Sequence, residues 1–167
     1  MTKFAKFLFA AAICSAGVAY AGETEFLQSL DGSWRGSGTV RLRVNSSPMT
    51  VSCKFETETT ESSLALKGKC TSLLIFSRVI AADLQVEGAE YSGSYVGGGT
   101  GPAGLLGNRS GDSINLDIRW AKNVNGDRAA KMTIEKVGET GMRLTTLDTD
   151  HATGEAIITS RIDLKRT

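Results

Sequence analysis

Strict alternation of apolar and polar residues is the feature that most constrains this chain. In the run SINLDIRW, apolar residues occupy every second position from Ile114 to Trp120. The run GTVRLRV behaves in the same way and places Val40, Leu42 and Val44 on one face. A period of two is typical of a strand with one buried and one solvated face. The sequence therefore predicts a protein built mainly from short, half-buried strands.

Turn residues separate these runs and indicate how the strands connect. Asn125-Gly126 lies between two alternating runs and is a strong signal for a two-residue hairpin. One short helix is expected over GETEFLQSL, residues 22–30, because its apolar residues form a stripe. Many short strands with polar outer faces predict an all-β, antiparallel up-and-down barrel of about eight or more strands. A β-sandwich is the alternative.

Two cysteines, Cys53 and Cys70, bracket a segment that reads as a hairpin. A two-residue turn at Glu61-Ser62 would place Cys53 directly opposite Cys70, and Phe55 opposite Gly68. Directly opposed residues point to the same side of a sheet, and their Cα atoms lie within disulfide reach. We therefore expect a Cys53–Cys70 disulfide inside the core.

The first 21 residues have the features of a secretory signal peptide. A basic start is followed by a short apolar run that ends at the small-residue pattern Ala19-Tyr20-Ala21. Cleavage after Ala21 would leave residues 22–167 as one β-barrel domain without a membrane-spanning segment. The 19 basic residues would fall to 17, against 18 acidic residues. An even pair of cysteines also suits an oxidising space, so we expect a periplasmic or secreted protein.

A glycine- and tryptophan-containing motif opens the predicted barrel. The run GSWRGSG, residues 32–38, has the form G-x-W-x-G-x-G and follows the short helix. This arrangement resembles the calycin group, which comprises the lipocalins and their relatives. The resemblance implies a barrel in which Trp34 plugs the closed end beneath a late basic residue, Arg161 or Arg166.

The longer form of the motif also resembles the nitrobindin-like haem barrels, in which a histidine near the C-terminus ligates iron. His151 is the only histidine of the chain and lies in LDTDHATGE, which reads as a turn. The resemblance makes haem a possible cofactor through His151, whereas the residues alone favour a solvated turn histidine. No other cofactor is expected.

A glycine-rich stretch from Gly97 to Gly104 is predicted to be a loop at the mouth of the barrel. It contains G-x-G-x-x-G, but no helix follows, so dinucleotide binding is not expected. Barrels of about eight strands hold one small ligand or fill with their own side chains. We therefore expect a small apolar ligand or a lipid here. The predicted ligand-binding residues are Trp34, Gly98, Gly101 and Gly104.

Other functions find less support in the sequence. A near-neutral charge argues against nucleic acid, which needs a concentrated basic footprint. One histidine, no free thiol after signal cleavage and no G-x-S-x-G motif led us to expect no enzymatic activity. The consecutive apolar residues Leu73 to Phe76 need either cover from the helix or a partner. An envelope-associated interaction protein with a filled core is the alternative function, and the sequence identifies no protein partner.

Overall fold

The computed structural model describes residues 17–72 and 76–167, which form one helix followed by ten strands. The elements in chain order are α1 (Gly17–Ser29), β1 (Gly32–Val40), β2 (Met49–Thr59), β3 (Ser63–Ser72), β4 (Phe76–Glu87), β5 (Glu90–Val96), β6 (Ala103–Ser110), β7 (Ser113–Val124), β8 (Asp127–Val137), β9 (Gly141–Thr149) and β10 (Ala156–Arg166). Most of the predicted signal peptide, and residues 73–75 of the consecutive apolar run, lie outside the described residues.

The ten strands close into an antiparallel up-and-down barrel. Each strand pairs with the next one along the chain, and β1 pairs with β10 to complete the circle. The predicted fold class is therefore confirmed, and the sandwich alternative is wrong. Helix α1 lies before β1 at one end of the barrel, here called the helix end. The opposite end, here called the loop end, carries residues 41–48, 97–102, 125–126 and 150–155.

The glycines of the G-x-W-x-G-x-G motif allow β1 to approach β10 closely. A Cβ atom added at Gly36 would collide with the backbone carbonyl of Asp163, and one at Gly38 with that of Arg161. Backbone atoms cannot move aside without breaking the ladder of hydrogen bonds. The motif is therefore explained at these two positions by the closure of the barrel.

The cysteine hairpin has the predicted register. Cys53 lies opposite Cys70 and Phe55 opposite Gly68, with Glu61-Ser62 in the turn. The two cysteines form a disulfide whose Cα atoms are 4.1 Å apart, and both are buried in the core. The disulfide therefore ties β2 to β3 from inside the barrel.

Strand β1 is shorter than the alternating pattern predicted. The pattern runs to Val44, but the strand ends at Val40, and residues 41–48 form a loop at the loop end. The side chain of Leu42 is 53% exposed instead of facing the core. Alternation continues here past the point where β1 has neighbours to pair with, so the prediction for Leu42 was wrong.

The helix end is closed by apolar side chains of α1 and of Leu30, the residue that follows the helix. Leu27 and Leu30 are fully buried, and Trp34 follows them at the start of β1 with 1% exposure. The Trp34 Nε1 donates to the Thr57 hydroxyl at 2.7 Å and to the Leu30 carbonyl at 3.2 Å. These bonds satisfy the indole N–H in the core and fix the end of the helix against β2.

Arg166 covers Trp34 from outside. Its guanidinium carbon lies 4.3 Å from the centre of the indole ring. Its Nη2 donates to the Ser29 carbonyl at 2.6 Å, and its Nη1 donates to the Asp31 carbonyl. Of the two basic residues that the calycin resemblance offered, Arg166 is therefore the one over the tryptophan.

The barrel interior is almost filled. Inward side chains from all ten strands pack against one another, and a cavity left among those of β3 to β5 and β8 to β10 measures about 30 Å³. A cavity of that size has room for one or two water molecules but not for an organic ligand. Among the described residues, larger depressions lie at the loop end and on the outer wall.

Candidate functional site

The loop end holds a cleft of about 510 Å³ formed by four connecting loops. Its lining is mostly polar and includes Asn45, Asn123 and His151 together with the charged Arg43 and Asp150, beside the apolar residues Leu42, Val44 and Val124. Gly98 and Thr100 from the glycine-rich stretch also line it. This cleft combines apolar surface with amide and imidazole groups, so it suits a molecule that has both apolar and hydrogen-bonding parts.

The glycine-rich loop lies directly on two aromatic rings that fill this end of the barrel. Tyr95 and Trp120 are buried, with ring centres 5.8 Å apart. A Cβ atom at Gly97 would collide with the Tyr95 hydroxyl, and one at Gly98 would lie 2.5 Å from the indole of Trp120. The glycines therefore let the backbone rest on the rings as a lid, and the cleft lies outside this lid.

The lid region contains polar groups without protein partners. Among the described residues, the Thr100 hydroxyl and the Trp120 Nε1 are buried and accept or donate no hydrogen bond. Burial also raises the pKa of Tyr95 to about 12, because the phenolate would be desolvated. Unpaired polar groups are costly in a core. The hydrogen bonding of buried polar groups is therefore less complete at this end than at the helix end.

Asn125 ties its own turn to the 41–48 loop and to the end of β9 beside the cleft. Its amide nitrogen donates to the buried Asp148 carboxylate at 2.5 Å, and its amide oxygen accepts from the backbone N–H of Val44 at 3.3 Å. Asn125 and Gly126 have φ values of 56° and 121°, as the predicted hairpin turn requires. The turn therefore holds one side of the cleft in place.

His151 lies at the cleft, packed on the same turn. Its Nε2 is 3.1 Å from a carboxylate oxygen of Asp127, and its ring lies against Gly126. The side chain is 48% exposed. In this arrangement Nε2 faces the Asp127 carboxylate, which leaves Nδ1 as the ring nitrogen for which no ion pair is seen among the described residues. Haem binding through His151 stays a prediction.

The other predicted ligand-binding residues do not meet at one place. Gly101 lies in the loop at the loop end, with φ 97°. Gly104 belongs to β6 and faces outward, where a Cβ atom would meet nothing within 4 Å. Trp34 is buried at the helix end, so it has no access to the cleft. Only Gly98 and His151 line it.

A second depression of about 690 Å³ lies on the outer wall of β6 to β9. Gly104, Ala129 and Ala156 leave room there, and the exposed Leu106 and the partly exposed Leu147 add apolar surface. This outer groove is an alternative position for a small ligand.

Within residues 17–72 and 76–167, no three His, Cys, Asp or Glu side chains are gathered as a metal site requires.

Sequence reasoning missed a polar network that holds α1 to the wall. Glu23 accepts from the Arg109 Nε at 2.9 Å and from the Tyr91 hydroxyl, and the Arg109 guanidinium also lies 4.6 Å from the ring centre of Phe26. Burial, reinforced by Glu23, raises the pKa of Tyr91. In YSGSYV, Tyr91 and Tyr95 are four residues apart and therefore lie on the same face of a strand. That spacing could have placed both tyrosines in the core.

Comparisons with known proteins show a similarity of fold. No family model matches the sequence, and no curated protein matches it. The structure is similar to that of an S-type phycobiliprotein lyase from Guillardia theta, with a TM-score of 0.56 and 13% sequence identity. The match covers 86% of this chain and 91% of that one. The likeness supports a calycin-like barrel.

This comparison contradicts the expectation that the chain is not an enzyme. A barrel of similar fold is described as a lyase, so the barrel fold does not argue against enzymatic activity. The expectation rested on the absence of nucleophile and histidine patterns, and those patterns cover only some of the ways in which proteins catalyse reactions.

No described helix is both long enough and apolar enough to cross a bilayer.

Proposed function

We propose that this barrel binds a small organic ligand in the cleft at the loop end. The observation that carries the proposal is the 510 Å³ cleft, which is the size of a small-molecule site and includes the predicted Gly98 and His151. The filled interior supports this position, since an internal cavity of about 30 Å³ cannot hold such a molecule.

The lining indicates the chemistry of the ligand. Leu42, Val44 and Val124 would contact its apolar part, and the charged Arg43 and Asp150 make the cleft more polar than the apolar ligand or lipid expected from the sequence would need. Asn45 and Asn123 would supply hydrogen bonds to a polar group at its edge. The ligand is therefore a small amphipathic molecule rather than a pure hydrocarbon. The similar barrel of a phycobiliprotein lyase adds support from the fold alone.

Native mass spectrometry of the protein purified from its own cells tests this proposal. The wild type should carry a bound molecule, which organic solvent then releases for identification. The variant Ala152→Trp fills the cleft and should be empty, whereas Ala129→Trp fills the outer groove and should retain the molecule. An empty wild type, or a ligand lost only from Ala129→Trp, would contradict the proposed site.

We also propose that the protein works outside the cytoplasm, either in the periplasm or as a secreted protein. The buried Cys53–Cys70 disulfide supports this location, because disulfides persist in oxidising compartments. Intact-mass measurement of the protein from its native compartment tests the processing step. The expected chain begins at Gly22, and a full-length chain with free thiols would contradict export.

A further inference from the structure

A row of positive charges crosses four neighbouring strands on the outer wall. Lys69 of β3 lies opposite Lys54 of β2, Lys54 lies opposite Arg35 of β1, and Arg35 lies opposite Lys165 of β10. All four side chains are exposed. This set of four is called the cation row below. With strands about 4.8 Å apart, the cation row spans about 14 Å of the wall.

The fold gives no reason for this arrangement. Like charges directly opposite each other destabilise a sheet. Elsewhere the barrel opposes unlike charges, as at Asp117–Lys131 of β7 and β8 and at Arg143–Asp163 of β9 and β10. Within the described part of the chain, no ion pair shorter than 4.0 Å involves any member of the cation row.

The acids beside the cation row have other partners. Glu56, two residues from Lys54 on the same face, accepts from the Ser33 hydroxyl at 2.6 Å and lies opposite Lys67. Asp163, two residues from Lys165, accepts from the Arg143 Nε at 2.6 Å. Glu56 keeps its negative charge beside the neutral hydroxyl, so these two acids offset part of the positive charge, but the four cations outnumber them.

A second row, of hydroxyl groups, runs parallel to the first. Ser37 lies opposite Ser52, which lies opposite Thr71, each two residues from a member of the cation row. A groove of about 350 Å³ separates the rows on β1 to β3. Ammonium, guanidinium and hydroxyl groups all donate hydrogen bonds that phosphate oxygens accept. The two rows together therefore suit phosphate groups.

We propose that the cation row docks the barrel on a membrane surface through the phosphates of anionic phospholipids. Four cations spread over about 14 Å are more than one phosphate needs and match an extended array. Long side chains on neighbouring strands can act together on one charged surface, since the Debye length is about 8 to 10 Å. The exposed Val79, opposite Lys69, extends the row with an apolar group that a headgroup layer accommodates.

Flotation with vesicles tests the proposal on the purified mature protein. Vesicles of equal parts phosphatidylglycerol and phosphatidylcholine should bind the protein at low salt, and pure phosphatidylcholine vesicles should not. The variant Lys54→Gln should weaken binding about fivefold, and the double variant Lys54→Gln/Lys69→Gln about 25-fold. Lys122→Gln removes the same charge from an exposed position of β7 outside the cation row and should bind as the wild type does.

Two outcomes would overturn the proposal. Equal losses in Lys54→Gln and Lys122→Gln would mean that overall charge, rather than the cation row, controls binding. Binding to inorganic polyphosphate without binding to the vesicles would replace the membrane with a soluble polyanion. Thermal melts of all variants show that they fold, and Lys54→Gln should melt no lower than the wild type because it relieves a like-charge contact.

Discussion

The contact of Arg166 with Trp34 allows the closure of the helix end to be measured. Replacing Arg166 by alanine removes a guanidinium stacked 4.3 Å from the indole centre and two hydrogen bonds to carbonyls near the end of α1. An exposed cation–π contact contributes about 0.5 to 1 kcal/mol, and each hydrogen bond about 0.5 to 1.5 kcal/mol. Because water partly replaces the bonds, we expect a loss of about 2 kcal/mol.

Arg161, on the same strand, provides the matched control. Its Nε lies 3.9 Å from an Asp163 oxygen at an exposed position, so Arg161→Ala should cost about 0.5 kcal/mol or less. Arg166→Lys should cost about 1 kcal/mol, because it keeps a charge but loses the planar fork. Urea unfolding followed by circular dichroism measures all three. A cost for Arg166→Ala no larger than that for Arg161→Ala would refute this account of the helix end.

Three further predictions concern the disulfide, a buried tyrosine and the lid. Replacing both Cys53 and Cys70 by alanine should lower the free energy of unfolding by about 3 kcal/mol, as closing a loop of this length implies, and calorimetry measures the loss. Burial of neutral Tyr95 should contribute its full stability below about pH 10, which is the pKa of tyrosine in the unfolded chain, and this contribution should be lost as the pH rises through about 12. Tyrosinate absorbance and denaturant unfolding across this pH range test the prediction. Gly98→Ala should cost about 1 to 3 kcal/mol because its Cβ atom would lie 2.5 Å from the indole beneath the lid. Gly104→Ala meets nothing within 4 Å and should leave thermal stability unchanged or slightly raised.

The fold could be predicted wherever local pattern and turn chemistry agreed. Parity along β2 and β3, together with a two-residue turn, was enough to place Cys53 opposite Cys70. Asn125-Gly126 joined β7 to β8 for the same reason. These features depend on neighbours in sequence, so a single sequence contains most of the information that they need.

The remaining features depend on contacts between distant segments. Nothing local ends β1 at Val40, because the alternation continues to Val44 and only the loss of partner strands stops it. Gly104 reads as loop from its glycine-rich surroundings, yet pairing with Arg119 of β7 makes it part of a strand. The cleft is likewise assembled from four loops. The sequence pointed to a ligand or cofactor only at the stretch containing Gly98 and the turn containing His151, and it predicted Asn125-Gly126 only as a hairpin turn.

Chemical-shift mapping with the molecule released from the native protein tests the central claim most directly. The claim is that the helix closes one end of a filled barrel and that the ligand binds at the other. Adding the molecule should shift the amide signals of Gly98, Asn123, Asn125 and His151, which lie at the cleft. Shifts confined to the outer groove around Leu106, or to the helix end, would contradict the claim.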